Sequence, residues 1–207
     1  MGMSTRRLVV VAVAGALPLI LALAGLFLLR DADASPAYRG SRPPTGVKAA
    51  DFRLRSYTGR EVALSDLRDR VLVLTFLDAQ CKESCPVIAA TAPLALARLD
   101  VEDRGRVAFV AISTDPREDT PAAVRSFLRR FGAQDALEYL IGPEVAVRRA
   151  WQDYGVLASE VTGSDTMHSA PVRIYARGGE WVSSLGAGAD LSPRDLAHDI
   201  QVAIDTT

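Results

Sequence analysis

Soft metal ligands are scarce in this chain: of 207 residues, two are cysteine, two are histidine and three are methionine. Two cysteines cannot build the framework of bridges that holds small secreted folds together. Cys81 and Cys85, four apart, are also too close to staple distant parts of a core. A local redox pair or a metal clip remains, and its chemistry must draw on Cys81, Cys85, His168 and His198. An excess of charge of either sign is missing too. Twenty-four basic residues face 25 acidic ones, a formal net charge of −1, and the signs are interspersed. That pattern gives no electrostatic footprint for a nucleic acid. Repeats and low-complexity tracts are absent after residue 48, and the length suits one domain with short extras.

One long apolar run is present. Leu8 to Leu29 holds 22 residues without a charge, which as a helix would span roughly 33 Å, slightly more than a hydrocarbon core. Arg6 and Arg7 precede it, and Asp31 and Asp33 follow Arg30, so the positive-inside bias puts residues 1–7 in the cytoplasm and the rest outside. The competing reading is a cleaved signal, on the small-x-small pattern Ala32-Asp33-Ala34 and the twin-arginine-like Thr5-Arg6-Arg7. The run exceeds the usual signal length, which favours a retained anchor over 8–29. Both readings deliver the cysteines to the oxidising side of a membrane. Residues 30–48, rich in Pro, Ser, Gly and Ala, have the composition of a flexible tether.

From residue 49 to 207 the pattern is that of one α/β domain. Phe52 to Arg55 and Glu61 to Leu64 flank a turn at Gly59 and predict an N-terminal hairpin. Val71 to Leu77 (VLVLTFL) and Val107 to Ser113 (VAFVAIS) are continuous apolar runs, suited to strands buried on both faces. Helical spacing runs from Pro86 to about Leu99, from Thr120-Pro121 to Phe131, and from Pro143 to Tyr154. A short strand is expected at Tyr139 to Ile141. Val172 to Tyr175 and Trp181-Val182, around Gly178-Gly179, predict a closing hairpin, and Ser192-Pro193 opens a last helix to about Ile204. Parallel central strands with antiparallel additions make a mixed sheet flanked by helices.

Cys81-Lys82-Glu83-Ser84-Cys85-Pro86 falls where a central strand feeds a helix. Helix N–H groups and the positive end of the dipole stabilise thiolate there. Thiolate is both the nucleophile of disulfide exchange and the soft ligand that selects Cu(I) or Zn(II), so position alone leaves redox and metal roles open.

The CxxxCP motif after an apolar strand resembles the Sco/SenC family, which are copper chaperones with a thioredoxin-like fold. Ser113-Thr114-Asp115-Pro116-Arg117-Glu118-Asp119-Thr120-Pro121 is similar to that family's S-x-D-P-x-x-D-T-P segment. Asp51-Phe52 with Gly59-Arg60 and Leu64-Ser65-Asp66-Leu67 resembles its opening hairpin and helix start. The resemblance covers about Ala49 to Ile204. It implies a copper site made by Cys81, Cys85 and a distant histidine, here His168 in Met167-His168-Ser169. It also implies delivery of copper to a cytochrome c oxidase subunit, at its CuA centre. Two thiolates and an imidazole suit Cu(I), and Cu(II) with an added oxygen ligand. Glu83 stands where the family often has an acidic residue and would orient ligands or bias docking. Lys82 replaces the family's usual proline, and Met167 the acidic residue usual before the histidine. Pro171 is placed like the cis-proline of thioredoxins that act on disulfides, which raises the alternative: a thiol:disulfide oxidoreductase with Cys81 as nucleophile and Cys85 as resolving thiol. A peroxidase of the peroxiredoxin kind ranks last, because its proline-threonine-cysteine motif is missing before Cys81.

Other residues have plainer readings. His198, among Asp195, Asp199 and Gln201, reads as part of a solvated helix face. Asp115 and Asp119 read as cap and turn residues for the helix that follows. Trp151 and Tyr154 read as packing, and Glu160 with Asp165 as no acid–base pair.

Overall fold

A computed structural model describes residues 37–156 and 171–207. The expected anchor at 8–29 lies outside them, as do Glu160, Asp165, Met167 and His168. Among the described residues, no helix is long and apolar enough to cross a membrane.

The two continuous apolar runs form the middle of the sheet. β3 (Val71–Leu77) and β4 (Val107–Ser113) are buried at every position and pair in parallel, Val71 opposite Val107 through Leu77 opposite Ser113. Strands covered on both faces need no polar alternation, which is why both read as unbroken runs. β5 (Glu138–Ile141) adds in parallel to β4. The hairpin of β1 (Arg53–Ser56) and β2 (Glu61–Ala63) adds antiparallel to β5, its turn made by Gly59 at φ +97°. On the other side β6 (Pro171–Tyr175) runs antiparallel to β3, and β7 (Trp181–Gly186) closes a seven-stranded mixed sheet of order β2-β1-β5-β4-β3-β6-β7.

Helices cover both faces. α1 (Ser84–Leu96), α3 (Pro121–Arg130) and α5 (Pro193–Asp205) pack with Val71, Val73 and Leu77 in one core. Leu72, Leu74 and Phe76 point the other way, into a second core closed by α4 (Glu144–Asp153) and the 3-10 turn Leu64–Leu67. A short α2 (Val101–Arg104) precedes β4. Thr120 caps α3 by accepting from the Ala123 amide, and Ser192 caps α5 by accepting from Asp195. Trp151 and Tyr154 are packing residues as expected: both are buried, and the Trp151 indole donates to the Ser113 carbonyl at 2.8 Å.

Two sequence readings change here. The second half of the segment read as a tether runs along the outer edge of β7. Ser41 and Ser184 exchange backbone hydrogen bonds of 2.9 and 3.0 Å, and Trp181 donates to Val47 at 2.9 Å. Turn-prone composition does not reveal whether a backbone finds a sheet edge to pair with, and this arm covers one that would otherwise be open. Asp199, read as part of a solvated face, is buried. It accepts from the Arg39 amide at 2.8 Å, the Gly40 amide at 3.0 Å and the Ser183 hydroxyl at 2.5 Å. His198 beside it is half-buried.

Candidate metal and thiol centre

The two cysteines are placed by the end of β3 and the start of α1. Between them the chain makes a tight loop in which four successive amides have acceptors. Asp78 N–H points at the Cys85 sulfur at 3.5 Å, Ala79 donates to the Asp119 carboxyl at 2.9 Å, Gln80 to the Asp78 carboxyl at 2.6 Å and Cys81 to the Asp78 carbonyl at 3.2 Å. Cys85 lies on the buried face of α1, 5% exposed, whereas Cys81 is half-buried at the rim; both are free thiols. Lys82 and Glu83 are exposed, with Glu83 at the N-cap position of α1.

The pair is electrically asymmetric. A hydrogen bond from the Cys85 thiol pulls Cys81 down to about 5, against the opposing effect of its own burial, with help from the Cys85 and Glu83 amides and the Ser84 hydroxyl. These are the unbonded donors of a helix start, acting as expected on thiolate. Cys85 moves strongly upward, first because it gives that hydrogen bond to Cys81 and then because it is buried. In this coupled pair the thiolate is favoured at Cys81 and the proton at Cys85. The arrangement is that of a nucleophile at the rim backed by a buried thiol. Burial raises the Asp78 carboxyl, with the Gln80 amide opposing and Asp115 and Cys81 adding to it.

Behind the loop sits Asp119, 3% exposed. Its carboxyl group meets the Ala79 amide, the Ser113 hydroxyl at 2.6 Å and the Tyr139 hydroxyl at 2.7 Å. Burial outweighs those bonds and raises it to about 6. Asp119 is therefore not the cap of α3, a role filled by Thr120, while Asp115 does make a turn by accepting from the Arg117 and Glu118 amides at 3.1 and 3.2 Å. The one sequence signal for Asp119 was its place in the Ser113 to Pro121 segment. Spacing toward the next helix pointed to capping, because sequence does not show that the residue's nearest neighbours are a tyrosine of β5 and a loop amide.

Of the three expected metal ligands, Cys81 and Cys85 are brought together and His168 lies outside the described residues. Among the described residues no three of His, Cys, Asp and Glu form a metal-holding group. Pro171 opens β6 next to β3, the strand that leads into the cysteine loop.

The family model for SCO1/SenC matches residues 41–205. The chain belongs to the SCO1/SenC family. Among curated proteins none matches. Solved Sco proteins share the fold. ScoI of Bradyrhizobium japonicum with copper bound is 24% identical with a TM-score of 0.62, over 75% of this chain and 98% of that one. Apo Sco1 of Thermus thermophilus is 26% identical at 0.61, over 83% and 96%. BsSco, described as having a disulfide switch and as a member of a family of cytochrome c oxidase assembly proteins, is 18% identical at 0.67, over 81% and 99%. This SCO1/SenC chain has a thioredoxin-like fold and carries its CxxxC pair where β3 feeds α1.

Proposed function

We propose that this SCO1/SenC protein is a membrane-anchored, extracytoplasmic copper metallochaperone that serves the copper subunit of a cytochrome c oxidase. The observation that carries the reading is the Cys81–Cys85 pair at the start of α1, where the Cys85 thiol hydrogen-bonds Cys81 and lowers it to about 5, so that thiolate is favoured at neutral pH. Such a pair suits a soft monovalent cation, and family members have been solved with copper bound. Cys81 offers its thiolate without losing a proton at neutral pH, whereas Cys85 gives up its proton as copper arrives, which makes binding release acid. His168 is proposed as the third ligand. The apolar run at 8–29 supports the anchor, with residues 1–7 in the cytoplasm and the domain outside.

Purified reduced protein is expected to bind one Cu(I) per chain. His168→Ala should weaken binding by about tenfold or more, the usual scale for lost metal-site contacts. Unchanged affinity in that variant would remove His168 from the site.

The asymmetry of the pair favours a second reading, thiol:disulfide exchange. Cys81 thiolate attacks a partner's disulfide, a mixed disulfide forms, and the partner's first sulfur leaves as thiolate. Cys85 then loses its proton and attacks Cys81, so the partner leaves as a dithiol and Cys81–Cys85 becomes a disulfide; two electrons move to the partner. Reduction of a model disulfide that is lost in Cys81→Ser supports this reading, and absence of turnover with every thiol donor rejects it.

A further inference from the structure

The oxygen contacts around Asp119 require more protons than their hydroxyl groups supply. Three of them are short: Ser113 Oγ to Asp119 Oδ2 at 2.6 Å, Tyr139 Oη to Asp119 Oδ2 at 2.7 Å, and Tyr139 Oη to the Leu77 carbonyl at 2.7 Å. Each contact needs its own proton, because two facing lone pairs in a buried site repel. Ser113 and Tyr139 bring one proton each, and the Leu77 carbonyl brings none. The third proton belongs on Asp119. With it the network closes: Asp119 donates to Tyr139, Tyr139 to Leu77, and Ser113 to Asp119. The second carboxyl oxygen is left to accept from Ala79 at 2.9 Å, and Ser113 Oγ accepts from the Asp115 amide at 3.2 Å.

That closed network ends on the loop between the cysteines' strand and helix. Leu77 is the last residue of β3 and Ala79 is two residues before Cys81, so Asp119 holds the start of the loop that carries the Cys81 sulfur, directly at Ala79 and through Tyr139 at Leu77. We propose that Asp119 is a positioning residue for the cysteine pair, holding the Cys81 loop in place through a neutral carboxyl group that completes the Ser113–Tyr139–Leu77 chain. Burial points the same way: Asp119 is 3% exposed, and desolvation, with a smaller contribution from Asp78 on the loop, lifts its carboxyl to about 6.

The inference rests on Cys81 and Cys85 being the working pair, and it applies to copper binding and to disulfide exchange alike. It is tested in the full-length chain by the pH profile of Cys81 alkylation with iodoacetamide. Cu(I) affinity at pH 5.5, on the protonated side of the value of about 6, is measured on the same variants. Asp119→Ala should move the alkylation midpoint upward, toward that of an unassisted thiol, and weaken Cu(I) by about tenfold or more, as lost support of a ligand does. Asp119→Asn, a neutral group of the same shape, still offers an oxygen to Ala79 and N–H donors to Tyr139 and to Ser113, whose hydroxyl then turns to accept, and should stay within about threefold of wild type in both. A folded Asp119→Ala with an unchanged alkylation profile overturns the positioning role. Asp119→Asn as damaged as Asp119→Ala overturns the neutral carboxyl. Where Asp119→Ala fails to fold, Tyr139→Phe decides: it removes the middle hydroxyl and should shift the midpoint the same way by a smaller amount, and no shift rejects the proposal. The alkylation readout involves no copper, so failure of the chain to bind copper would leave the test of Asp119 intact.

Discussion

Asp119 and Asp199 are the same residue type in the same circumstance, buried and held by three hydrogen-bond partners, yet they are built differently. Asp199 takes two backbone amides and one serine hydroxyl, three donors with three protons of their own. Asp119 takes one amide and two hydroxyls, and one of those hydroxyls also faces a carbonyl. The first is a clamp whose donors are complete without a further proton. The second needs a proton to close, so its fit follows acidity. Burial alone does not tell a structural carboxylate from an adjustable one; the identity and proton count of the donors does.

Removing the clamp should give the largest effect. Asp199→Ala strands two amides and a hydroxyl, and urea unfolding should show a loss of about 3–4 kcal/mol with the Cys81 alkylation profile unchanged. A shifted profile would break the division of labour between the two aspartates. Next comes pH. A carboxyl raised to about 6 makes the folded state bind more protons than the unfolded chain between about pH 4 and 6, so stability falls as pH rises through that window. The fall should be about 2 kcal/mol in wild type and largely absent in Asp119→Asn, measured by urea midpoints across that range. Gly40→Ala attacks the clamp from the other side. A Cβ there would lie 2.4 Å from Ser183 Oγ and 2.6 Å from the Ser184 carbonyl, so the arm must shift, at a cost of about 1–3 kcal/mol and with faster proteolysis near residue 40. The smallest effect belongs to Glu61→Ala. Its ion pair with Arg53 is well exposed at both ends, and the change should stay within about 0.5 kcal/mol, a reference against which the buried carboxylates are judged.

The parts of the fold readable from sequence were those decided by local pattern. β3 and β4 announced themselves as unbroken apolar runs, Thr120-Pro121 and Ser192-Pro193 as helix starts, and the cysteines as a pair at a helix start. Boundaries moved where local pattern was ambiguous: α1 begins at Ser84 rather than Pro86 and ends at Leu96 rather than near Leu99. What sequence hid were the long-range polar bonds. Asp199 sits in a helix stretch that looks solvated, and only the arm folding back from 159 residues away explains its burial. Asp119 resembled a cap because its true partners come from β4, β5 and the cysteine loop, and spacing along the chain carries no record of them.

The arm's attachment also sets an order of assembly. The bonds that frame the cysteine loop connect residues no further along the chain than Tyr139, and the Ala79–Asp119 bond spans 40 positions. Arg39 and Gly40, by contrast, have no acceptor at Asp199 until 160 further residues have been made. Because synthesis runs from the N-terminus, the first part of this domain to emerge is among the last to find its place. The β7 edge it covers emerges before the clamp residue does, so the finished sheet edge and the strap that seals it are completed together, by the same final helix.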